Sequence, residues 1–307
     1  MYRKHFGLSR HAFSKEIEAD ELFSSTAMKE LETRLNHLIE LRGIGLVTGE
    51  SGSGKTTVCR KVLSSLHTGL YRVVYVQHST GNVMDTYKTI AWELGLSIER
   101  SRAALFRQIR NEVTRLASET RCRPVLLVDE AHHLRADVLE DLRLLTNYAM
   151  DSENRLTLIF VGHPELRRRL GLAAHEALSQ RIVVRANVAG LGRDELEPYV
   201  ANLLRRAGTE LPLFEPAALE AIFQATSGLP RRINQLCHFT LLAAAMTKAK
   251  VARRRQQVLW EFADPGIGSR YTRPARHYKR PAASRSAYGT AGARCESTKS
   301  TVTLNHQ

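Results

Sequence analysis

Short runs of β-branched and leucine-rich sequence recur through the first two thirds of the chain with almost no polar interruption: Gly43–Thr48, Val73–Gln77, Val125–Asp129, Thr157–Gly162 and Ile182–Arg185. A strand with one face in water alternates apolar and polar residues. These runs do not alternate, so helices should cover both faces, which is the condition of a parallel α/β sheet. Segments at about 27–41, 55–66, 83–94, 102–119, 137–149 and 164–170 repeat apolar residues at helical spacing and supply that cover. The alternation predicts an α/β fold with a single five-stranded parallel sheet. From Arg193 onward the strand pattern stops, while helical periodicity continues through Leu196–Ala207, Pro216–Thr226 and Arg231–Thr247. The expected division is an α/β domain over residues 1–190, a small helical domain over 191–250 and a tail over 251–307.

Composition changes this picture mainly at the tail. Of 45 Lys+Arg and 31 Asp+Glu in the 307 residues, 11 and 3 fall within residues 251–307, so +8 of the formal charge of +14 sits there. Only 7 of those 57 residues are Ile, Leu, Val or Phe, well below the roughly 20% under which a charged segment fails to build a core. Residues 263–307 therefore read as disordered. Three readings of the tail stay open: a basic arm with Tyr271, Tyr278 and Tyr288 set among arginines for phosphate contact and base stacking, a merely solvated tail, or the product of a reading-frame change. The longest apolar runs, Leu156–Gly162 and Phe239–Met246, fall far short of the roughly 18 to 20 residues of a membrane span. MYRKHFGLSR has no apolar core of a secretory signal, so a cytoplasmic protein is expected. Cys59, Cys122, Cys237 and Cys295 stand far apart with no Cys-x-x-Cys pair, as reduced thiols do.

Gly49-Glu-Ser-Gly-Ser-Gly-Lys55-Thr56 matches G-x-x-x-x-G-K-[ST] between a strand and a helix, the context a phosphate-binding loop requires. Glycines at 49, 52 and 54 let backbone N–H groups converge on phosphate oxygens at a helix N-terminus, where the helix dipole also favours anions. Lys55 should reach the β- and γ-phosphates of ATP, and Thr56 should offer its hydroxyl to Mg²⁺. Asp129 and Glu130 close the apolar run from Pro124, 74 residues after Lys55. Asp129 would belong to the Mg²⁺ shell, and Glu130 is placed to orient and polarise an attacking water. His132 and His133 follow at once. As neighbours they are expected to point to different sides, with no partner ligands at metal spacing.

Phe6-Gly-Leu…Phe13, the loop Thr48 to Thr57, Val128-Asp-Glu-Ala131, Gly162-His-Pro-Glu-Leu166, Gln180-Arg-Ile182 and Gly228-Leu-Pro-Arg-Arg-Ile-Asn234 together resemble the AAA+ ATPases related to general secretion pathway protein A, a group that includes helper proteins encoded beside transposases. The resemblance covers roughly residues 1–247 and implies a P-loop NTPase core with a helical lid, binding Mg-ATP through Gly49, Glu50, Ser51, Gly52, Ser53, Gly54, Lys55, Thr56, Thr57 and Asp129. It further implies a sensor at His163, where the group usually has Gln, an arginine finger at Arg181 that reaches a neighbouring subunit's nucleotide, and a second sensor at Arg231 on the lid. A local ion pair at a helix end is the alternative for Arg181. Ala12 replaces the proline that the group carries before Phe13 in a segment thought to pack near the adenine.

The resemblance and the charge lead to the expectation of a homo-oligomeric ATPase on double-stranded DNA that recruits or regulates a transposase, with Arg167–Arg169, Arg205–Arg206 and Arg253–Arg255 as candidate phosphate contacts. Phe13-Ser-Lys-Glu-Ile17, similar to the transposon-linked members, and the want of a membrane span favour this branch. The alternative is a secretion or membrane-assembly ATPase lacking its membrane domain. Asp129-Glu-Ala-His132 also prompts a helicase reading, which fails because no second RecA-like domain follows residue 193.

Overall fold

The computed structural model describes residues 2–14, 21–77 and 82–254. In chain order the elements are α1 (Tyr2–Phe6), α2 (Thr26–Leu41), β1 (Ile44–Gly49), α3 (Lys55–Ser65), β2 (Tyr71–Gln77), α4 (Val83–Leu94), α5 (Arg102–Ser118), β3 (Arg123–Asp129), α6 (Ala136–Leu145), β4 (Thr157–Gly162), α7 (Pro164–Leu170), α8 (Glu176–Arg181), β5 (Ile182–Val188), α9 (Arg193–Arg206), α10 (Pro216–Thr226) and α11 (Pro230–Met246). The strands form one five-stranded sheet in the order β2-β3-β4-β1-β5, every pair parallel. The expected α/β fold with a five-stranded parallel sheet is the fold of the chain.

Burial explains where the strand pattern was uniform. β1 and β4 are buried at every position and β3 at all but its first, because each has a strand on both sides and helices on both faces. β2 and β5 lie at the two edges and do alternate: β5 reads buried, exposed, buried throughout. β5 also runs to Val188, beyond the expected end, since Val184 to Val188 pair with Gly45 to Gly49 of β1. Along β3, Val125 and Leu127 enter the core beneath α2 and α3, whereas Leu126 and Val128 enter the core beneath α4, α5 and α6. The sheet is therefore the middle of three layers. The expected helix over 137–149 stops at Leu145, where Thr146 caps it, and a separate turn of 3₁₀ helix follows at Ala149–Asp151. α1 and α8, of 5 and 6 residues, are too short to announce themselves by periodicity.

The helices after β5 build a core of their own from Leu196, Tyr199, Leu203, Ile222, Ile233 and Leu241. Tyr2, Leu8 and Phe13 of the amino-terminal segment belong to this core and not to the sheet. Tyr2 is 2% exposed, and its hydroxyl lies 3.1 Å from His11 Nδ1 and 3.2 Å from His238 Nδ1 on α11. Gly228 fixes the approach of α11: its φ of +74° is left-handed, and a Cβ there would stand 2.3 Å from Leu191 O. No helix among the described residues is long and apolar enough to cross a membrane. The tail readings and Arg255 lie outside the described residues.

One buried carboxylate ties three helices beneath the sheet. Asp141 on α6 accepts the Tyr87 hydroxyl of α4 at 2.9 Å and the Arg102 guanidinium that starts α5 at 2.5 Å. Burial, then the carboxylate beside it, pushes the Tyr87 phenol well above its ordinary range. Asp141→Ala should lower stability by about 1–3 kcal/mol in denaturant unfolding, because Tyr87 would be left buried without an acceptor. Arg102→Ala should cost clearly less than Asp141→Ala in the same measurement, since the guanidinium is largely exposed.

Candidate functional site

Parallel strands end together, so the loops after β1, β3 and β4 open onto one edge of the sheet. The loop after β1 returns tightly enough that Ser53 N–H donates to Glu50 O at 3.1 Å before α3 begins at Lys55. Gly52 has φ +82°, and a Cβ on it would stand 2.6 Å from Arg231 Cβ, so the loop and the start of α11 approach as closely as backbone allows. Arg231 N–H donates to Gly52 O at 3.2 Å, and its guanidinium reaches Ser51 Oγ at 3.4 Å. Lys55 Nζ folds back on the loop, donating to Gly49 O at 2.8 Å and Glu50 O at 2.9 Å. Burial lowers the Lys55 pKa, opposed by the nearby Glu130, Asp129 and Glu50 carboxylates.

Asp129 is buried at the end of β3 and fully engaged. Its Oδ2 accepts the Thr56 hydroxyl at 2.9 Å and the Tyr75 hydroxyl at 3.2 Å, and its Oδ1 accepts Glu130 N–H at 2.8 Å. Burial, then the Asp129 charge, pushes the Tyr75 phenol up to about 12. Tyr75 was not anticipated from sequence. It lies on β2 two residues before the strand end, and only the register, which sets Tyr75 against Leu127 and Gln77 against Asp129, brings it there. Glu130 takes a left-handed φ of +52° and turns its carboxylate out of the strand, half-exposed.

That turn begins a 3₁₀ segment, Ala131–His133, which overturns the expectation that the two histidines diverge: their ring centroids lie 3.9 Å apart. His132 Nδ1 stands 3.4 Å from Glu130 Oε2. Burial, then the neighbouring His133, lowers the His132 pKa. His163, at the end of β4, donates its backbone N–H toward His132 Nδ1 at 3.4 Å and sets its Nε2 3.1 Å from Glu50 Oε2. Arg169 of α7 clamps the same turn, donating to His132 O at 2.7 Å and Leu134 O at 2.8 Å.

Lys55, Thr56, Glu130, His132, His163 and Arg231 thus line one cleft of about 700 Å³, within the range of small-molecule sites. Its far wall is apolar and comes from Phe13, Leu22, Phe23, Met28, Tyr199 and Leu203, so the amino-terminal segment and the carboxy-terminal helices meet over the loop. Of these, only the Phe13 segment was anticipated. Arg181 lies elsewhere. It ends α8 just before Ile182, whose partner Ile44 begins β1, whereas Gly49 pairs with Val188 at the other end of β5. A strand of six residues separates the two, about 20 Å. Arg181 donates to Asp151 Oδ1 and to Arg143 O. The arginine clusters also divide: Arg169 and Arg206 are turned inward, the latter onto Glu21, while Arg167, Arg168 and Arg205 face outward.

A family model for the AAA domain matches residues 39–170. General secretion pathway protein A of Aeromonas hydrophila is 36% identical over 248 residues, 80% of this chain and 45% of that protein. ATP-dependent target DNA activator B of Escherichia phage Mu is 25% identical over 154 residues, 50% of this chain and 45% of that one. The chain thus spans about 45% of the length of both relatives. The crystal structure of Cdc6p from Pyrobaculum aerophilum superposes with a TM-score of 0.61 at 18% identity, covering 78% of this chain and 67% of the other. Sequence match and fold agree, and residues 39–170 of the chain form an AAA domain.

Proposed function

We propose that the chain is an Mg²⁺-dependent ATPase that assembles into a homo-oligomer on double-stranded DNA and there recruits or regulates a transposase. The observation that carries the catalytic part is the convergence of Lys55, the Thr56–Asp129 pair and the Glu130 carboxylate on the floor of one cleft. The loop suits an anionic ligand: the Ser53 hydroxyl is buried without a partner among the described residues, and the Lys55 ammonium rests on carbonyls of its own loop, which phosphate oxygens would replace. Thr56 and Asp129 together offer a hard metal ion only oxygen ligands.

When bound, Mg²⁺ would neutralise phosphate charge and orient the transferring group. The protein's own part follows from its geometry. Backbone N–H groups of residues 50–56 and Lys55 hold the phosphates. Glu130, swung outward by its left-handed backbone, orients a water and withdraws its proton as attack proceeds. Arg231 places a positive charge against the loop from the helical side, which supports its role as a sensor of the nucleotide. His163, held to Glu50 of the loop, is placed to register the terminal phosphate from the β4 side. The apolar wall from Phe13 to Leu203 accommodates a base. The helices of residues 191–250 would then act as a lid. Arg181 can serve only the cleft of another copy, since its own lies a strand length away.

DNA and transposition rest on the match to a phage target DNA activator, on the formal charge of +14 and on the outward Arg167, Arg168 and Arg205. A second reading, the ATPase part of a secretion or membrane-assembly protein, is supported by the higher identity and longer match to general secretion pathway protein A. DNA retention separates them: the transposition reading requires ATP-dependent DNA binding, and the secretion reading requires none.

Lys55→Ala should abolish nucleotide binding measured with a fluorescent ATP analogue, whereas Glu130→Gln should bind ATP and accumulate as an assembled state; equal turnover by the Gln variant would refute the role of Glu130. Arg181→Ala should lose about 10³- to 10⁵-fold in turnover while retaining binding. Mixing it with Lys55→Ala protein should restore part of the activity, and failure of the mixture would exclude action across subunits. If six to ten phosphate contacts form, DNA affinity should fall by about 10³ to 10⁵ between 50 and 200 mM salt, and binding indifferent to salt and ATP would sink the DNA reading.

A further inference from the structure

The turn after β3 assembles a donor set that phosphate binding does not use. Glu130, His132 and His133 each present one ligand atom, and all three atoms lie within 4.8 Å of one another. Two imidazoles and a carboxylate are the set that binds Zn²⁺ with one position left open. With bond lengths of about 2.0–2.2 Å, the edge of a zinc tetrahedron is about 3.3–3.5 Å. The Glu130 Oε2 to His132 Nδ1 distance is 3.4 Å, so that edge is already formed. The remaining closure falls to His133, an exposed side chain whose ring lies against His132.

A second observation points to a cation in this place. His132 Nδ1 faces both the His163 backbone N–H, 3.4 Å away, and Glu130 Oε2, also 3.4 Å away. If Nδ1 carries no proton, it accepts from His163 but turns a lone pair toward a carboxylate oxygen. If it carries one, it donates to Glu130 but confronts the His163 donor. The protein alone satisfies one neighbour or the other. A cation between Nδ1 and Oε2 would remove the repulsion between lone pairs in the unprotonated tautomer, at the cost of the long 3.4 Å contact from the His163 N–H, because Nδ1 has a single in-plane lone pair. Nitrogen ligands suit Zn²⁺ and are poor for Mg²⁺, for which the oxygens of Thr56 and Asp129 would be the better ligands.

We propose that Glu130, His132 and His133 form an inhibitory site for Zn²⁺, a borderline-soft divalent cation, which silences hydrolysis by taking the Glu130 carboxylate as a ligand. The regulatory half rests on the ATPase reading, and the site itself does not. Zn²⁺ binding no longer leaves Glu130 free to accept a proton from water, while the phosphate loop stays intact. Nucleotide therefore still binds to the zinc-loaded protein.

The test uses the tag-free full chain. Zn²⁺ affinity is measured without nucleotide by competition with a chromophoric chelator, for the wild type and for His133→Ala, a change on an exposed side chain that packs on His132 and does not itself line the cleft. Loss of a direct ligand should weaken zinc by at least the roughly 10- to 100-fold typical of second-shell changes. Equal affinities would overturn the site. ATP turnover is then followed in saturating Mg²⁺ against rising Zn²⁺, and His133→Ala should need at least about tenfold more zinc for half inhibition. His133-dependent zinc binding with turnover unaffected would overturn the inhibitory role. Absence of turnover by the wild type in zinc-free buffer would overturn the ATPase reading, and the chelator competition would still decide the site.

Discussion

Parallel pairing of β1 with both β4 and β5 is the constraint on which the rest depends. Parallel strands put all their carboxy-terminal ends on one side of the sheet, so the residues that follow Gly49, Asp129 and Gly162 have to meet at one edge. Each crossover needs a helix, and the helices fill both faces. β1 sits where the chain, having laid β2, β3 and β4 to one side, crosses to lay β5 on the other. The phosphate loop therefore opens where no crossover covers it. Burial of the central strands makes the arrangement stiff, and a stiff sheet is what lets a hydroxyl on α3 and a carboxylate on β3 meet at 2.9 Å.

Asp129 shows how much of the site is held by interactions that never touch a ligand. A buried carboxylate with three donors cannot rotate away, so the Thr56 hydroxyl and the Tyr75 phenol fix its orientation before anything binds. The turn that follows is pinned from a different direction, by Arg169 and by the His163 backbone, both beyond the end of β4. Glu130 is thereby suspended between a rigid strand and a clamped turn, with its own carboxylate half-exposed to solvent. Arg231 supplies the corresponding link to the carboxy-terminal helices, because Gly52 leaves no Cβ to keep α11 away.

Much of this was legible in the sequence, and the limits have physical causes. The phosphate loop could be read because only glycines tolerate its backbone, so the loop writes itself in residue types at fixed spacing. The core strands could be read because burial on both faces removes polar residues, and the edge strands were read short because alternation weakened that signal. α8 and α1 escaped notice because a helix of one or two turns shows no period. The inward turn of Arg169 and Arg206 was invisible, since an arginine that donates to a backbone carbonyl or a distant carboxylate and one that faces solvent look the same in a sequence. The pairing of His132 with His133 was misjudged for a similar reason: a helix or a loop would separate adjacent side chains, and the tight 3₁₀ turn stacks them.

Local sequence by itself determined the phosphate loop, the acidic strand end and the order of strands and helices, because each depends on neighbours a few residues away along the chain. Tertiary structure alone decided the cleft's apolar wall, the Tyr75 contact to Asp129 and the distance of Arg181 from its own loop. Phe13 and Tyr199 stand 186 residues apart in the chain, and only packing of the amino-terminal segment into the core of the carboxy-terminal helices places them on the same wall. Such contacts depend on how layers pack and in which register strands pair, and neither quantity is carried by any short stretch of residues.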